Sequence, residues 1–215
     1  MASHAPLPLS GVVVAMNERD RIGRCLESLL EVCAEVVLVD SGSTDGTVEL
    51  ATGMGVRVVH QDWLGFAAQK NLAISQATQP WVLLLDADEW LEPPARDALR
   101  RLFGSGEAGR ADVWLLLRRT HFLGRAMQAG SFAREPVQRL FRAHLRHAEV
   151  PVHEYLVTAG SRVARSAIRL EHDTARDPDE YWRKLQRYAR LSADASAQRG
   201  RRSWPGRGLL AAGLD

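Results

Sequence analysis

The residues of this chain best suited to chemistry are carboxylates that end buried strands. Asp86-Ala87-Asp88-Glu89 follows the apolar run Trp81-Val82-Leu83-Leu84-Leu85, and Asp40-Ser41-Gly42-Ser43-Thr44-Asp45 follows Val36-Val37-Leu38-Val39. Met16-Asn17-Glu18 follows Val12-Val13-Val14-Ala15. Alternate residues of an extended chain point to the same side, so Asp86 and Asp88 are able to converge on one object. Hard carboxylate oxygens suit Mg²⁺ or Mn²⁺, cations that keep open positions for the phosphates of a substrate. Without a cation the clustered negative charge repels a diphosphate, and the chain contains no Gly-x-x-x-x-Gly-Lys phosphate loop. The chemistry indicated is that of a metal-bridged nucleotide.

Position separates this Asp-x-Asp from an accident of composition. At this aspartate content about one such pair arises by chance, and Asp177-Pro178-Asp179 is explained by negative charge at a helix N-terminus. Asp86 and Asp88 differ because a buried strand delivers them. In the second loop Gly42 suits a tight turn and Ser43 or Thr44 suits capping of the next helix. Neither role explains Asp40, which ends the strand.

Such loops need a scaffold that gathers strand ends. Residues 12–15, 36–39, 56–59 and 81–85 read as strands buried on both faces. Between the first two, Ile22, Cys25, Leu26, Leu29, Leu30 and Cys33 recur at the spacing of an amphipathic helix. Further helices are expected over 44–54, 66–77 and 93–103. Strands alternating with helices predict an α/β fold: a Rossmann-like, mostly parallel sheet with right-handed crossovers and helices on both faces. Ligands bind such sheets beyond the carboxyl ends of the strands, where strand order reverses. The three acidic loops therefore share one edge.

After the loop 104–109 the pattern changes to strand-like pieces at 113–118, 137–141 and 167–171, then one helix at about 179–197. A single domain is expected over 1–198. Its nucleotide-binding half covers 8–103, a mixed acceptor-side half 104–178 and an amphipathic helix 179–198, with a flexible basic tail at 199–215. The 215 residues suit one core, and 46% hydrophobic with 25% charged residues excludes a disordered chain or a disulfide scaffold. A net charge of +2 gives no field that marks a nucleic-acid binder, so no nucleic-acid partner is expected. Charge is nevertheless uneven, with eight basic residues against Asp194 between Tyr181 and Gly208. Cys25 and Cys33 lack metal-site spacing and fit a reducing cytosol. The apolar stretch from Ala5 to Met16 is broken by Pro6 and Pro8 and falls short of the ~20 residues of a span, so a cytoplasmic protein is expected.

In order, the runs Val14-Ala15-Met16-Asn17-Glu18, Val39-Asp40-Ser41-Gly42-Ser43-Thr44-Asp45-Gly46-Thr47, Gln69-Lys70-Asn71 and Leu85-Asp86-Ala87-Asp88-Glu89 resemble family 2 glycosyltransferases of GT-A fold. Within that family the chain resembles the bacterial lipopolysaccharide-core glucosyltransferases, over roughly residues 10 to 175. The resemblance implies inverting transfer of a hexose from a nucleotide diphosphate sugar such as UDP-glucose, with a divalent cation (Mg²⁺ or Mn²⁺), to a glycolipid or envelope-polysaccharide acceptor. Carried over by position, Ala15, Asn17, Glu18, Asp40, Ser41, Lys70, Asp86 and Ala87 bind the donor. Asp40 would hydrogen-bond the base, Lys70 would lie near the nucleotide, and Asp88 would ligate the metal with Asp86 toward ribose and metal. Met16 departs from the pattern, since many relatives place an aromatic residue near the base.

An inverting transfer needs a carboxylate to take the acceptor hydroxyl proton. Pro151-Val152-His153-Glu154 resembles a Val-His-Glu segment of the group, which makes Glu154 the candidate base and Glu149 the reserve. The plain alternative for Glu154 is an ion pair with an arginine. His153 is a candidate to orient the acceptor or coordinate the metal. Arg139-Leu140-Phe141-Arg142 reads as a strand with both arginines on one face, for phosphates of donor or acceptor or as solvated edge charge. His172, after the last predicted strand, is a lesser candidate for the same site.

In the long helix Tyr181, Leu185 and Tyr188 lie beside Arg183, Arg187 and Arg190, a pattern that suits anionic headgroups at the inner face of the bacterial inner membrane. A helix simply packed on the domain is the alternative. Two rival functions stay open. A sugar-phosphate nucleotidyltransferase shares the sheet and the metal chemistry, but that class usually carries a Gly-rich loop where this chain has Met16-Asn17-Glu18-Arg19-Asp20. A nucleotide-sugar-binding module without catalysis is the other, and intact Asp86 and Asp88 weigh against it.

Overall fold

A computed structural model describes residues 5–150, 154–175 and 177–198. In chain order the elements are β1 (Leu7–Ala15), α1 (Ile22–Leu30), β2 (Cys33–Asp40), α2 (Thr47–Gly53), β3 (Arg57–His60), α3 (Phe66–Ser75) and β4 (Trp81–Asp86). There follow β5 (Glu89–Trp90), α4 (Pro93–Gly104), β6 (Val113–Phe122), β7 (Arg125–Ala126), β8 (Glu135–Arg142), β9 (Val163–Ala175) and α5 (Pro178–Gln198).

One sheet runs β3-β2-β1-β4-β8-β6-β9-β5, with β7 on β6. The first four of these are mutually parallel. From β1 the chain moves outward through β2 and β3, then returns to the other side of β1 as β4. Strand order thus reverses between β1 and β4, whose carboxyl ends meet with Val14 opposite Asp86. The second half of the sheet is mixed: β8 is antiparallel to β4 and β6, and β9 is parallel to β6.

Alternation along the central strands decides which side chains reach which face. Leu9, Val13 and Ala15 of β1, with Leu83 and Leu85 of β4, pack against Ile22, Cys25, Leu26 and Leu29 of α1 and Leu99 of α4. Val12, Val82 and Leu84 pack with Ala73 and Ile74 of α3 and Phe141 of β8. Burying each such leucine contributes about 1.5–3 kcal/mol, and because both faces of β4 are covered, a slip by one residue would turn Asp86 to the opposite face without exposing the apolar run. Asp86 continues the phase of Val82 and Leu84 and emerges on the face that carries α3.

Three expectations change. The helical spacing that includes Cys33 is coincidental at its end: α1 stops at Leu30, which is exposed, and Cys33 opens β2 as a buried strand residue. The helix expected from residue 44 begins at Thr47, because the residues before it are engaged with the loop after β1. The last strand extends well beyond 167–171, and the two-residue β5, read from sequence as loop, pairs with it through Glu89 opposite His172.

Candidate active site

The loops after β1 and β2 are zipped together. Asn17, left-handed at φ 59°, donates its backbone N–H to Ser43 Oγ (2.8 Å) and accepts from Thr44 N through Oδ1 (2.9 Å). Asparagine tolerates that conformation better than most residues. The N–H groups of Glu18 and Arg19 continue the seam to Thr47 Oγ1 and Asp45 Oδ2. Asp40 organises its own turn: Oδ2 accepts the Gly42 and Ser43 N–H groups, both at 2.8 Å, and Oδ1 accepts the Ser43 hydroxyl. The turn is therefore held by Asp40 and the helix start by Asp45, which accepts from Thr47 N at 3.0 Å, rather than by a Ser43 or Thr44 cap. Ala15 and Ala87 point their methyl groups into the core, so both present only backbone to this edge.

Asp86 is the junction of the site. Arg139 Nη2 bonds one of its oxygens and Lys70 Nζ lies 3.3 Å from the other. Surrounding side chains disfavour charge on Asp86, yet Arg139, Lys70 and Arg118 outweigh them and hold its carboxyl far below the ordinary carboxylate range. Arg139 also donates to Glu89 Oε1 at 2.8 Å, and Arg118 Nη1 reaches the same oxygen at 3.2 Å. Glu89 has no exposed surface, and its Oε2 accepts the Asp86 N–H at 3.1 Å. Removing one partner of such a buried ion pair costs about 3–5 kcal/mol. Arg139 is thus a buried counterion beneath the loop that carries Asp86 and Asp88.

Asp88 lies on the other side of that loop. Its Oδ2 is 3.4 Å from His172 Nε2 on β9, whose Nδ1 is 3.2 Å from Thr120 Oγ1 on β6. The backbone oxygen of Asp88 accepts the Asp173 N–H (2.9 Å), and Asp173 keeps one buried carboxylate oxygen, Oδ1, without a hydrogen-bond partner. Glu18 is near enough to feel this charge. Burial first, then Asp88 and Glu180, raise its pKa against the pull of Arg21.

Consecutive polar residues of α3 reach three different parts of the site. Gln69, fully buried, donates to Ser41 Oγ (2.9 Å) and to the Gln61 carbonyl (3.0 Å). Lys70 donates to Glu154 Oε1 at 2.8 Å. Burial opposes the charge of Lys70, but Asp86 and Glu154 outweigh burial and Arg139, so its pKa is raised. Asn71 bonds the backbone of His147. His147 belongs to a hairpin in which it bridges Leu156 in antiparallel fashion, Ala148 N donates to Tyr155 O and Val157 N donates to Arg146 O. Glu154 sits on this hairpin.

The site therefore brings together Asp86, Lys70, Glu154 and Arg139 on one side, and Asp88 with His172 on the other. Glu154 does form an ion pair, though with the buried Lys70 and not with a surface arginine. Arg142 is a correction. Residues three apart on a strand face opposite ways, so Arg142 points away from Arg139 and stacks over Trp81, 4.1 Å from its ring centroid, at the far end of β4 from Asp86. Glu149 is exposed on the hairpin, and His153 lies outside the described residues. Sequence reasoning assigned no role to Glu89, Arg118, Asn71 or His147. Of these, Glu89 and Asn71 stand within the runs that carry the resemblance, and Arg118 and His147 carried no local signal.

Comparison with known proteins gives the family and the fold. Glycosyl transferase family 2 matches residues 10–147. The lipopolysaccharide core biosynthesis glycosyltransferase LpsC of Rhizobium meliloti is 34% identical over 203 residues, 91% of this chain and 74% of that protein. A glycosyltransferase of Rickettsia conorii is 38% identical over 102 residues, 47% of this chain and 36% of its own length. Among solved structures, a fragment of S. aureus TarS spanning 1–349 superposes with a TM-score of 0.56 at 16% identity, covering 86% of this chain and 65% of that one. The same fragment in complex with UDP gives 0.55 at 18% identity, covering 88% and 65%. The fold is that of the GT-A glycosyltransferases, and the chain belongs to glycosyl transferase family 2.

Proposed function

We propose that the protein is an inverting hexosyltransferase that moves a sugar from a uridine diphosphate donor to a glycolipid or lipopolysaccharide-type acceptor. The observation that carries this reading is the Lys70 bridge, 3.3 Å to Asp86 at the sheet edge and 2.8 Å to Glu154 on the hairpin. One cation thereby joins the edge where a nucleotide belongs to the carboxylate suited to take a proton. Asn17, Glu18, Asp40 and Ser41 shape the pocket for the base and ribose. Lys70 engages only one oxygen of Glu154 among the described residues, which leaves Oε2 to accept the proton of an acceptor hydroxyl.

A divalent cation fits the residues in part. Asp88 and His172 offer a carboxylate and an imidazole side by side. Asp86 is committed to Lys70 and Arg139, and among the described residues no three His, Cys, Asp or Glu side chains group as a metal site. Asp88 and His172 would thus hold the ion, with donor phosphate and water completing its shell. When bound, the cation supplies positive charge against the departing diphosphate.

Ligand-induced stabilisation tests the donor. At a hundred times its Kd a ligand adds about 2.7 kcal/mol, which raises Tm by about 5–10 °C for a chain of this size. A UDP-hexose with Mn²⁺ is expected to produce that shift. Silence toward every nucleotide sugar refutes the reading, and stabilisation only by a sugar phosphate with a nucleoside triphosphate favours the nucleotidyltransferase.

The reading also places the enzyme on the cytoplasmic face of an anionic membrane. Tyr181 packs edge-on against Phe122 at 5.1 Å and Arg21 pairs with Glu180 at 2.7 Å, which fixes the start of α5 on the domain. Beyond it Trp182 (61% exposed) and Leu185 (43%) face outward with Arg183 and Arg190. No described helix is long and apolar enough to cross a membrane. Each arginine near an anionic surface is worth about 1 kcal/mol. Anionic liposomes are expected to pellet the full chain, Trp182→Ala to weaken pelleting several-fold, and salt to abolish it as the Debye length falls from ~10 Å at 0.1 M to ~3 Å at 1 M. Pelleting indifferent to salt and to Trp182 would remove membrane docking from the proposal.

A further inference from the structure

The carboxylate proposed as base sits on a hairpin seated by Leu156, which is buried with the adjoining Leu145 against Val12, Val82 and Phe141. Its two arms share one antiparallel bridge, His147 with Leu156, and an isolated two-stranded hairpin is marginal in water. Beyond that packing, three polar ties fasten it to the rest of the protein among the described residues. Lys70 reaches Glu154, Gln138 Oε1 accepts the Leu156 N–H at 3.1 Å, and Asn71 takes both backbone groups of His147. Asn71 Nδ2 donates to the His147 carbonyl at 2.9 Å, and Asn71 Oδ1 accepts the His147 N–H at 2.7 Å.

The last tie differs from the others in kind. A primary amide that pairs with both the N–H and the C=O of one residue copies the edge of a β-strand, so it fixes the rotation of the hairpin as well as its distance. It also stands on α3 directly beside Lys70, so the clamp and the Lys70–Glu154 bond share one rigid support. The His147 imidazole does not compete for this role. It lies edge-on to Phe141 with its buried Nδ1 unpartnered, and burial, Lys70 and Arg139 push its pKa down to about 4. Of the three polar ties, the two made by Asn71 and Gln138 are amides whose charge does not change.

We propose that Asn71 is a positioning residue for the acceptor-side base. By clamping the His147 backbone to α3 it sets Glu154 against Lys70 and over the donor edge. The role rests on the reading of Glu154 given above.

The test combines hydrogen exchange, donor binding and turnover in the full chain. Losing two hydrogen bonds in Asn71→Ala should speed exchange of amides in 146–150 and 154–157 by about tenfold or more, while peptides from β1, β2 and β4 stay protected. Donor-induced stabilisation should persist and kcat should fall by about tenfold, with the donor KM little changed. Combined with Glu154→Gln the variant should add almost nothing, because both act through one group. Asn71→Asp keeps the acceptor for the His147 N–H and loses the donor, so intermediate exchange and turnover are expected from it. It carries the test should the alanine variant fail to fold. Unchanged exchange overturns the clamp, and faster exchange with wild-type kcat overturns the positioning role. Full additivity with Glu154→Gln overturns the route through Glu154. A wild-type protein that transfers no sugar refutes the proposed function and the role with it, whereas the exchange data report separately whether the clamp exists.

Discussion

Asp88→Asn is expected to reduce sugar transfer on the order of a thousandfold, the loss that corresponds to the several kcal/mol a catalytic cation contributes. The substitution keeps the shape of the side chain and removes the charge that faces His172 Nε2. Folding should not suffer. The Asp173 N–H bonds the backbone oxygen of Asp88, which the substitution leaves in place. Asp88 repels Glu18 but attracts Arg21, so its neutralisation has opposed effects on folding. Tm should therefore stay nearly level. Excess chelator should bring the wild-type enzyme to a similarly low rate, and readdition of Mn²⁺ should restore it. Full turnover in chelator, or wild-type turnover in the variant, would rule out the cation at Asp88.

The parts of this site that were legible in the sequence are those whose causes are local. Val12-Val13-Val14-Ala15 and Leu83-Leu84-Leu85 announce strands buried on both faces because only such strands tolerate unbroken apolar runs. The carboxylates that follow them then fall at the sheet edge by topology. What escaped was set by pairing across long stretches of chain. Asp86 meets Arg139 across 53 residues and Asn71 meets His147 across 76, and neither partner carries a spacing signal. Glu89 was hidden for another reason. β5 is two residues long, too short for any periodicity, and it exists because β9 lies beside it.

Errors of phase had the same origin. Cys33 fits a helical period only because a buried strand begins where the next turn of α1 would have placed an apolar residue. Arg139 and Arg142 looked like one basic face, but a strand repeats every two residues and not every three, so one became a buried counterion and the other a lid on Trp81. Asp40 shows the converse. Its place at a strand end was read correctly, while its carboxylate is spent largely on its own turn, with Gly42 N, Ser43 N and the Ser43 hydroxyl as donors.

Glu154→Gln is expected to lower transfer by about a hundredfold to ten-thousandfold, the range for loss of a positioned general base. The amide oxygen of glutamine still accepts the hydrogen bond from Lys70, so the hairpin keeps its tie. Lys70 also keeps its other carboxylate partner, Asp86, at 3.3 Å. The donor edge is thus undisturbed, and UDP-hexose should stabilise the variant about as much as the wild type. A fall in kcat with donor binding intact separates loss of basicity from loss of structure. Glu149→Gln is the control, since Glu149 is exposed on the same hairpin. Should that variant lose activity while Glu154→Gln keeps it, the proton goes to Glu149, and the Lys70–Glu154 pair becomes the strut that holds the hairpin over the site.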